Sequence, residues 1–313
     1  MSGYLEQLSL RIGSGMGRLH APWRQRHAGY LLAQQQPDGG FPGREGPSDL
    51  YYTSFALRGL ALLGQLEGEV ARRAAGFLQA RLSGQVPIVD FLSLIYGAAQ
   101  LDMAAGLDVF AGAPAGWRQA VAKALEQLRR PDGGYAKTPD GQSSSLYHSF
   151  LLVLSQQLLD LPTPEPQRLI AFVRSRRRDD GGFVEMEPMR RSGTNPTAAA
   201  VGLLTIHSAL DEAARADTAH FLLDMQNDEG GWRANSRVPI ADLLSTFTAL
   251  VTLSDLGSLQ DVELEGVQRY VELLQLPGGG FHGAAWDAGC DVEYTFYGLG
   301  ASALLAELTG QQA

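Results

Sequence analysis

The chain has 313 residues, a mass of 33.7 kDa and 45% hydrophobic residues, which is enough to bury one large core or two modest ones. Its 25 basic and 34 acidic residues give a net charge of −9, which excludes a general nucleic-acid or anionic-membrane binder because such a protein needs an excess of cations. The single cysteine, Cys290, excludes an intrachain disulfide. The first twenty residues lack the apolar core of a signal peptide. We therefore expect a cytoplasmic protein with no transmembrane segment and no nucleic-acid partner.

A short segment with two glycines and an aromatic residue recurs along the chain. It reads QQPDGGF, RRPDGGY, RRDDGGF, QNDEGGW and QLPGGGF, and the first glycine of each pair is residue 39, 133, 181, 230 or 279. The steps are 94, 48, 49 and 49 residues, so the first step contains a unit without the pair, which we expect to turn near Gly84. A fixed period is typical of repeat architectures. The sequence predicts one domain of six such units.

Each unit contains two predicted helices. In chain order, amphipathic helices are predicted at 23–36, 67–82, 117–129, 167–178, 212–226 and 262–275. The glycine pair follows, and we expect it to end the helix in the left-handed conformation, with the aromatic residue packed over the turn. A more apolar helix comes next, as in DLLSTFTALVTLSDLG, and its apolar circumference indicates burial. Twelve alternating helices predict an all-α fold of two concentric rings with the apolar ring inside.

The apolar helices begin at positions that can be aligned between units. The first aligned position holds Asp49, Asp90, Ser144, Gly193, Asp242 and Asp291. The position four residues later holds Thr53, Leu94, His148, Thr197, Thr246 and Thr295. The first set is close to the residues preferred as helix N-caps. Capping is therefore an alternative to any catalytic role for an acid in this set.

These features resemble the prenyltransferase and squalene-oxidocyclase repeat superfamily, and most closely the β subunits of protein prenyltransferases. The resemblance spans about residues 20–308, and DVEYTFYGL at 291–299 adds to the glycine motifs. It implies a six-hairpin α/α toroid, or barrel, of twelve helices around a central apolar cavity. We assign residues 1–20 to an N-terminal extension, 21–308 to the toroid and 309–313 to a C-terminal tail.

The zinc site of protein prenyltransferases is incomplete at the matching positions. The family holds zinc with an Asp-x-Cys pair at the start of the fifth inner helix and a histidine at the start of the sixth. Asp242 matches the aspartate, whereas Leu244 and Tyr294 replace the cysteine and the histidine. One carboxylate alone does not hold zinc tightly, so the zinc-thiolate mechanism does not carry over. No cofactor is assigned, although Mg²⁺ would accompany a diphosphate ligand.

Arginines are the candidates for binding a diphosphate. The resemblance implies a histidine where Gly193 stands, and an arginine and a lysine just before the fifth inner helix, where an arginine remains and Pro239 replaces the lysine. Guanidinium groups pair with phosphate oxygens, and helix N-termini favour anions. The predicted diphosphate-binding residues are Arg190, Arg191, Arg233 and Arg237. The alternative is that these are surface arginines that cover turns.

Other acid or metal motifs are incomplete. The chain has no Asp-x-Asp-Asp acid of the protonating terpene cyclases, and its Asp-Asp-Gly-Gly-Phe segment at 179–183 lacks the last aspartate of a magnesium-binding Asp-Asp-x-x-Asp. His282, Asp287, Cys290, Asp291 and Glu293 lie within twelve residues and are of metal-ligating types. We favour the alternative of a polar loop and an acid-rich helix start, and assign no metal site.

Aromatic residues near the starts of the inner helices are predicted to line the cavity. The predicted lining residues are Tyr52, Tyr147, Phe247 and Tyr297, and core packing is the alternative for each. Rings and aliphatic groups suit an isoprenoid tail because each buried methylene contributes about 0.8 kcal/mol. The candidate catalytic residues are His148, Asp242 and Tyr294, with His148 as a base or a phosphate ligand. A hydrogen-bonded interior histidine is the alternative for His148.

Together these features predict a prenyltransferase-like transferase that binds an isoprenyl diphosphate and transfers the prenyl group without the usual zinc site. Two alternatives stay open. One is a non-catalytic isoprenoid or lipid carrier, and the other is a toroid that serves as a protein-interaction module. A homodimer and a helical α-subunit-like partner are both compatible with the sequence.

Overall fold

The computed structural model describes residues 3–82 and 87–311, so the turn predicted near Gly84 lies outside the described residues. The described part begins with helix α1 (Tyr4–Met16), after which two sets of helices alternate. The amphipathic set is α2 (Ala21–Ala33), α4 (Gly68–Gln79), α6 (Trp117–Glu126), α8 (Pro166–Ser175), α10 (Glu212–Asp224) and α12 (Leu264–Leu273). The apolar set is α3 (Leu50–Leu62), α5 (Ile88–Ala105), α7 (Leu146–Leu158), α9 (Thr194–Ile206), α11 (Leu243–Leu256) and α13 (Val292–Gln311). The short strands β1 (Trp232–Arg233) and β2 (Ala241–Asp242) pair antiparallel.

The chain divides into two compact units. Unit 1 contains residues 3–5 and 118–270, and unit 2 contains residues 6–82, 87–117 and 271–311. In unit 1, α9 packs between α7 and α11, while α8 packs on α9 and α10 on α11. In unit 2, α3 contacts α5 and α13, while α2 packs on α3 and α4 on α5. In each unit, amphipathic helices therefore cover a row of apolar helices.

The apolar helices form the core of each unit, as their composition predicts. One leucine from each of five of these helices has no exposed area: Leu57, Leu152, Leu203, Leu250 and Leu299. Burying such a side chain contributes about 1.5–3 kcal/mol. Helix α5 is the one described helix that is long and apolar enough to cross a bilayer by length and composition, and 56% of it is buried.

The first glycine of each pair lies in a turn after the helix rather than at its cap. The φ angles of these glycines lie between 84° and 98°, at Gly39, Gly133, Gly181, Gly230 and Gly279. Helix α2, however, ends at Ala33, and the backbone of its C-cap residue, Gln34, is in the right-handed conformation. The backbone N–H of Gly39 instead donates to the carbonyl of Gln36 (2.9 Å), which closes a tight turn. The prediction that the glycine ends the helix is therefore wrong, although the need for a positive φ is confirmed.

The glycine pair is also a contact site for the next amphipathic helix. A Cβ atom at Gly181 would lie 2.4 Å from the carbonyl oxygen of Asp217 on α10, and one at Gly182 would lie 2.8 Å from the ring of Phe221. The same contact recurs in unit 2, where a Cβ at Gly39 would lie 2.2 Å from the carbonyl oxygen of Arg73 on α4. Both glycines of a pair are thus required, because the next amphipathic helix approaches the turn too closely to leave room for a side chain.

The aromatic residue after each glycine pair is tied to the next apolar helix. Its backbone N–H donates to a hydroxyl group, in the pairs Phe41–Thr53, Tyr135–Ser149, Phe183–Thr197, Trp232–Thr246 and Phe281–Thr295. The alignment of helix starts is therefore wrong by one residue in α7, because Ser149 and not His148 supplies the hydroxyl. The N-cap of α7 is accordingly Ser145. Helix α5 begins at Ile88, so Asp90 lies inside the helix.

Helix α1, which lies within the predicted N-terminal extension, brings the α-helices of the described residues to thirteen. Its side chains Leu8, Ile12 and Met16 are buried. Gly15 lies so close to α13 that a Cβ atom there would be 1.9 Å from the carbonyl oxygen of Ala303. This part of the extension therefore adds to the core of unit 2. The domain boundaries at residues 20 and 308 stay predictions.

Candidate functional site

The candidate site lies where α7, α9 and α11 begin in unit 1. The backbone N–H of Leu146, the first residue of α7, donates to the carbonyl of Glu185 (3.1 Å), and that of Thr194 in α9 donates to the carbonyl of Ala234 (3.0 Å). The loops 184–193 and 233–242 are thereby tied to neighbouring helix starts, and we call the loops and these helix starts the unit 1 rim. Helix N-termini present N–H groups and a positive dipole end, which favours anions.

Three of the four predicted diphosphate-binding arginines line one cavity on this rim. Arg190, Arg191, Arg237 and Met189 surround an open volume of about 670 Å³. All four side chains are exposed. Within the described part of the chain, none of the three guanidinium groups pairs with a carboxylate, unlike Arg176, which binds an aspartate at 2.9 Å. Three positive charges therefore meet at one open cavity.

Arg233, the fourth predicted arginine, is held by backbone carbonyl groups. Its Nη2 donates to the carbonyl of Asp224 (2.8 Å), and its Nε donates to the carbonyl of Met225 (3.4 Å). These carbonyls belong to the end of α10, where a cation is favourable to the helix dipole. The contacts support the turn-covering alternative for Arg233, and its role in binding a diphosphate stays a prediction.

Asp242, a candidate catalytic carboxylate, caps α11. Its Oδ1 accepts the backbone N–H of Ser245 (2.7 Å), and its Oδ2 accepts the hydroxyl of the same serine (2.8 Å). Burial raises the pKa of Asp242, and the hydrogen bonds from Ser245 oppose that rise. Both carboxylate oxygens are thus used in the cap, which is the role that these contacts support. Its catalytic role stays a prediction.

The residues at the family's zinc position do not fit a zinc ion. Asp242 uses both oxygens in its cap, Leu244 has no donor atom, and Tyr294 replaces the histidine. In unit 2, the guanidinium group of Arg44 lies 5.5 Å above the ring of Tyr294. Over the described residues, no group of three or more His, Cys, Asp or Glu side chains is arranged to hold a metal. We therefore derive no step through zinc.

His148 is hydrogen-bonded to a serine, which in turn binds a glutamate. The Nδ1 atom of His148 lies 2.8 Å from Ser145 Oγ, and Ser145 Oγ is also hydrogen-bonded to Glu185. The same Glu185 oxygen accepts the backbone N–H of Tyr147 (3.0 Å). Burial lowers the pKa of His148, and Lys137 lowers it further, so the imidazole is neutral at neutral pH. Sequence reasoning missed Ser145 and Glu185 because 40 residues separate them.

The predicted lining aromatics differ in exposure. In unit 1, Tyr147 is 40% exposed and Phe247 is 5% exposed. In unit 2, Tyr52 is half-buried, whereas Tyr297 is buried with its ring 5.3 Å from that of Phe55. The burial of Phe247 and Tyr297 supports the core-packing alternative for these two. The lining role of all four stays a prediction.

Each residue of the cluster considered as a metal site has a hydrogen-bond partner in unit 2. The pairs are His282 with the carbonyl of Gly289, Asp287 and Asp291 with Arg44, Cys290 with Tyr30, and Glu293 with Tyr51. Burial raises the pKa of the Cys290 thiol, which disfavours the thiolate that a metal would need. These contacts support the alternative of a polar loop and a helix start.

Comparison with known proteins identifies the family. The model of the prenyltransferase alpha-alpha toroid domain matches residues 9–85, 101–208 and 197–312, which together are most of the chain. The chain therefore belongs to the prenyltransferase alpha-alpha toroid family, and the predicted all-α, α/α-toroid fold class is confirmed. No curated protein sequence matches the chain.

Several solved structures share this fold. Protein geranylgeranyltransferase-I of Candida albicans, complexed with GGPP, is 14% identical with a TM-score of 0.68, over 88% of this chain and 89% of that chain. A variant of a type II terpene cyclase from Scytonema, bound to its product merosterolic acid A, is 13% identical with a TM-score of 0.63, over 97% and 99%. An alpha-1,6-mannanase from Salegentibacter sp. is 12% identical with a TM-score of 0.59, over 92% and 99%. At these identities the likeness concerns the fold alone.

Proposed function

We propose that the chain binds an isoprenyl diphosphate, with the diphosphate held by Arg190, Arg191 and Arg237 on the unit 1 rim. The observation that carries this proposal is the meeting of three guanidinium groups, without carboxylate partners in the described residues, at one open cavity. Guanidinium groups donate paired hydrogen bonds to phosphate oxygens. The helices that begin on the rim add their dipoles to the same anion.

The isoprenoid part of the proposal rests on the fold family and on one apolar residue at the cavity. Met189 lines the cavity together with the arginines. Two proteins of similar fold were solved with isoprenoids, one with GGPP and one with geranylgeranyl dihydroxybenzoate. A diphosphate held by arginines with an apolar chain attached is the ligand class that these observations support together.

We further propose that the protein transfers the prenyl group without zinc. As the bond between the prenyl carbon and the diphosphate oxygen breaks, the electron pair leaves on the diphosphate, and the three arginines stabilise the charge that develops. A Mg²⁺ ion bound to the diphosphate would share this charge. His148, neutral and half-buried on the same rim, is the candidate base for the acceptor.

The test is calorimetric binding of farnesyl and geranylgeranyl diphosphate, with and without Mg²⁺. The triple variant Arg190→Ala, Arg191→Ala, Arg237→Ala should lose roughly 100-fold or more in affinity, since hydrogen bonds to charged groups contribute about 1.5–3 kcal/mol each. Arg269→Ala, an exposed arginine on α12 in the same unit, is the control and should bind normally. Absent binding in the wild type, or unchanged binding in the triple variant, would contradict the proposal.

Two further measurements separate the parts of the proposal. Arg233→Ala should change affinity less than Arg237→Ala, because the Arg233 guanidinium already donates to backbone carbonyls. Release of pyrophosphate during incubation with geranylgeranyl diphosphate and an acceptor separates a transferase from a non-catalytic carrier. Tight binding without release would favour the carrier.

A further inference from the structure

A chain of hydrogen bonds on the unit 1 rim joins Glu185, Ser145 and His148, and its direction follows from counting protons. A carboxylate has no proton to donate, and a serine hydroxyl has one. Oε1 of Glu185 accepts both the backbone N–H of Tyr147 and a hydrogen bond from Ser145. The single hydroxyl proton of Ser145 is therefore donated to Glu185.

The imidazole of His148 must then donate to Ser145. With its own proton on Glu185, Ser145 Oγ accepts from the backbone N–H of His148 (3.1 Å) and from the Nδ1 atom of the same residue (2.8 Å). Nδ1 therefore carries the ring proton, and Nε2 keeps its lone pair. Within the described part of the chain, Nε2 has no hydrogen-bond partner. The arrangement leaves one nitrogen able to accept a proton.

We infer that Ser145 and Glu185 are positioning residues that hold His148 in the Nδ1–H tautomer, and that Nε2 takes the proton from an oxygen or sulfur nucleophile that accepts the prenyl group. This inference rests on the proposed function and names the acceptor class, a hydroxyl or thiol compound. Two charged groups act on His148: Lys137 acts on it directly, and Glu185 acts through Ser145.

The step balances without a further reactant. The lone pair of the acceptor oxygen or sulfur forms a bond to the prenyl carbon while the bond from that carbon to the diphosphate breaks, with its electron pair leaving on the diphosphate. The acceptor proton moves to Nε2 of His148. The imidazolium that forms keeps its Nδ1–H hydrogen bond to Ser145, and the negative charge of Glu185 stabilises it through that serine.

A purely structural role for the serine is the competing explanation, because Ser145 is also the N-cap of α7. The tautomer of His148 separates the two roles, and nitrogen-15 NMR of the labelled full chain reports it directly. We expect the Nδ1–H tautomer in the wild type. In Glu185→Ala the serine hydroxyl is free to donate to Nδ1, so the tautomer should change to Nε2–H. In Glu185→Gln the amide oxygen still accepts from Ser145, so the tautomer should stay while the pKa of His148 falls.

The control variant removes the side-chain N-cap of another helix in unit 1. Asp211 caps α10 and accepts the backbone N–H of Ala214 (2.9 Å), so Asp211→Ala should lose stability and leave the His148 signals unchanged. An Nε2–H tautomer in the wild type would overturn the inference, and so would a tautomer that Glu185→Ala does not change.

Kinetics test the proton transfer, with geranylgeranyl diphosphate as donor and a simple phenol and dithiothreitol as probe acceptors. His148→Asn should lower kcat by roughly 100-fold, and Glu185→Ala by roughly tenfold, while KM for the diphosphate stays unchanged. Unchanged kcat in His148→Asn, or diphosphate binding without turnover in the wild type, would overturn the role of Nε2. If the wild type shows the expected tautomer but binds no isoprenyl diphosphate, the proposed function fails and takes the acceptor assignment with it, whereas the positioning result stands.

Discussion

The two units carry the same turns and helix starts, but they differ in whether the arginines of the loops before their apolar helices are paired with carboxylates. In unit 2, Arg44 donates to Asp287 (2.5 Å) and to Asp291 (2.9 Å), and both aspartates belong to the loop before α13. In unit 1, Arg237 lies in the corresponding loop before α11 and lines an open cavity with two other arginines. In unit 2 the cation of one repeat is thus paired with carboxylates of another, whereas in unit 1 three arginines from two loops have no carboxylate partner among the described residues.

For Arg237 and Arg44, the difference follows the acids of the loops before α11 and α13. The loop before α11 has one acid, Asp242, and the cap of its own helix uses both oxygens of that carboxylate. The loop before α13 has Asp287 in addition to Asp291, so Arg44 finds a carboxylate that no cap requires. Unit 2 also covers a second cation, Arg58, whose guanidinium group lies 3.8 Å from the ring centre of Phe296. The acids of a loop therefore decide whether an arginine beside it is paired within the fold.

The largest expected effect tests what the two units share. Gly181→Ala in unit 1 and Gly39→Ala in unit 2 should each cost at least about 2 kcal/mol of unfolding free energy, because both have a positive φ and no room for a Cβ atom. Gly46→Ala is the matched control: its φ is 92° but nothing lies within 4 Å of a Cβ there, so we expect a loss of only about 1 kcal/mol. Urea unfolding measures all three. Equal losses at the three positions would show that the helix contact is unimportant.

The second prediction tests the difference between the units. Arg44→Ala leaves Asp291, whose side chain is 3% exposed, without its cation. We expect a loss of about 1–2 kcal/mol in unfolding free energy, less than for a fully buried pair because Arg44 is 38% exposed. Arg237→Ala should change stability by less than about 0.5 kcal/mol, as for an unpaired surface residue. Similar losses of unfolding free energy in both variants would contradict the difference between the paired Arg44 and the unpaired Arg237.

The third prediction concerns salt. Inorganic pyrophosphate should bind the wild type through the exposed arginines of the unit 1 rim, and its affinity should fall roughly fivefold between 0.05 and 0.5 M sodium chloride, since exposed charges are screened. Isothermal titration calorimetry at several salt concentrations measures this slope. Arg44→Ala should bind pyrophosphate with the same slope, and a reduced slope in that variant would place the anion site on unit 2 instead.

The smallest expected effect is the pH dependence of the stability that the ion pair between Arg44 and Asp287 contributes. The guanidinium group of Arg44 holds the pKa of Asp287 below its usual value, so the folded state favours the charged carboxylate. The resulting stability is present above the ordinary aspartate pKa of about 3.9 and is lost as the pH falls through the lower folded value. The stability difference between the wild type and Arg44→Ala should therefore narrow by roughly half a kcal/mol below pH 4. If the stability difference between the two proteins widened as the pH falls, the lowered pKa of Asp287 could not be its cause.

The sequence predicted the repeat, the helix types and the family because these depend on local spacing. The glycine pairs mark turn positions such as Gly133 and Gly181, where glycine permits the positive φ that the structure shows. Apolar and amphipathic periodicity likewise separates buried helices from covering ones within a single segment. The sequence also predicts the arginines of the cavity as anion-binding candidates, since Arg190 and Arg191 lie just before a helix start.

The tertiary structure alone decided which of these side chains contact one another, because their partners come from other repeats. The alignment of helix starts between repeats places the start of α7 at Ser144, one residue before the N-cap that the structure shows, Ser145. Glu185 reaches Ser145 across 40 residues because a loop of the next repeat folds over the start of α7. The pairing of Arg44 with Asp287 spans 243 residues. Local periodicity specifies helices and turns, whereas charge compensation and tautomer depend on which loops the packing brings together.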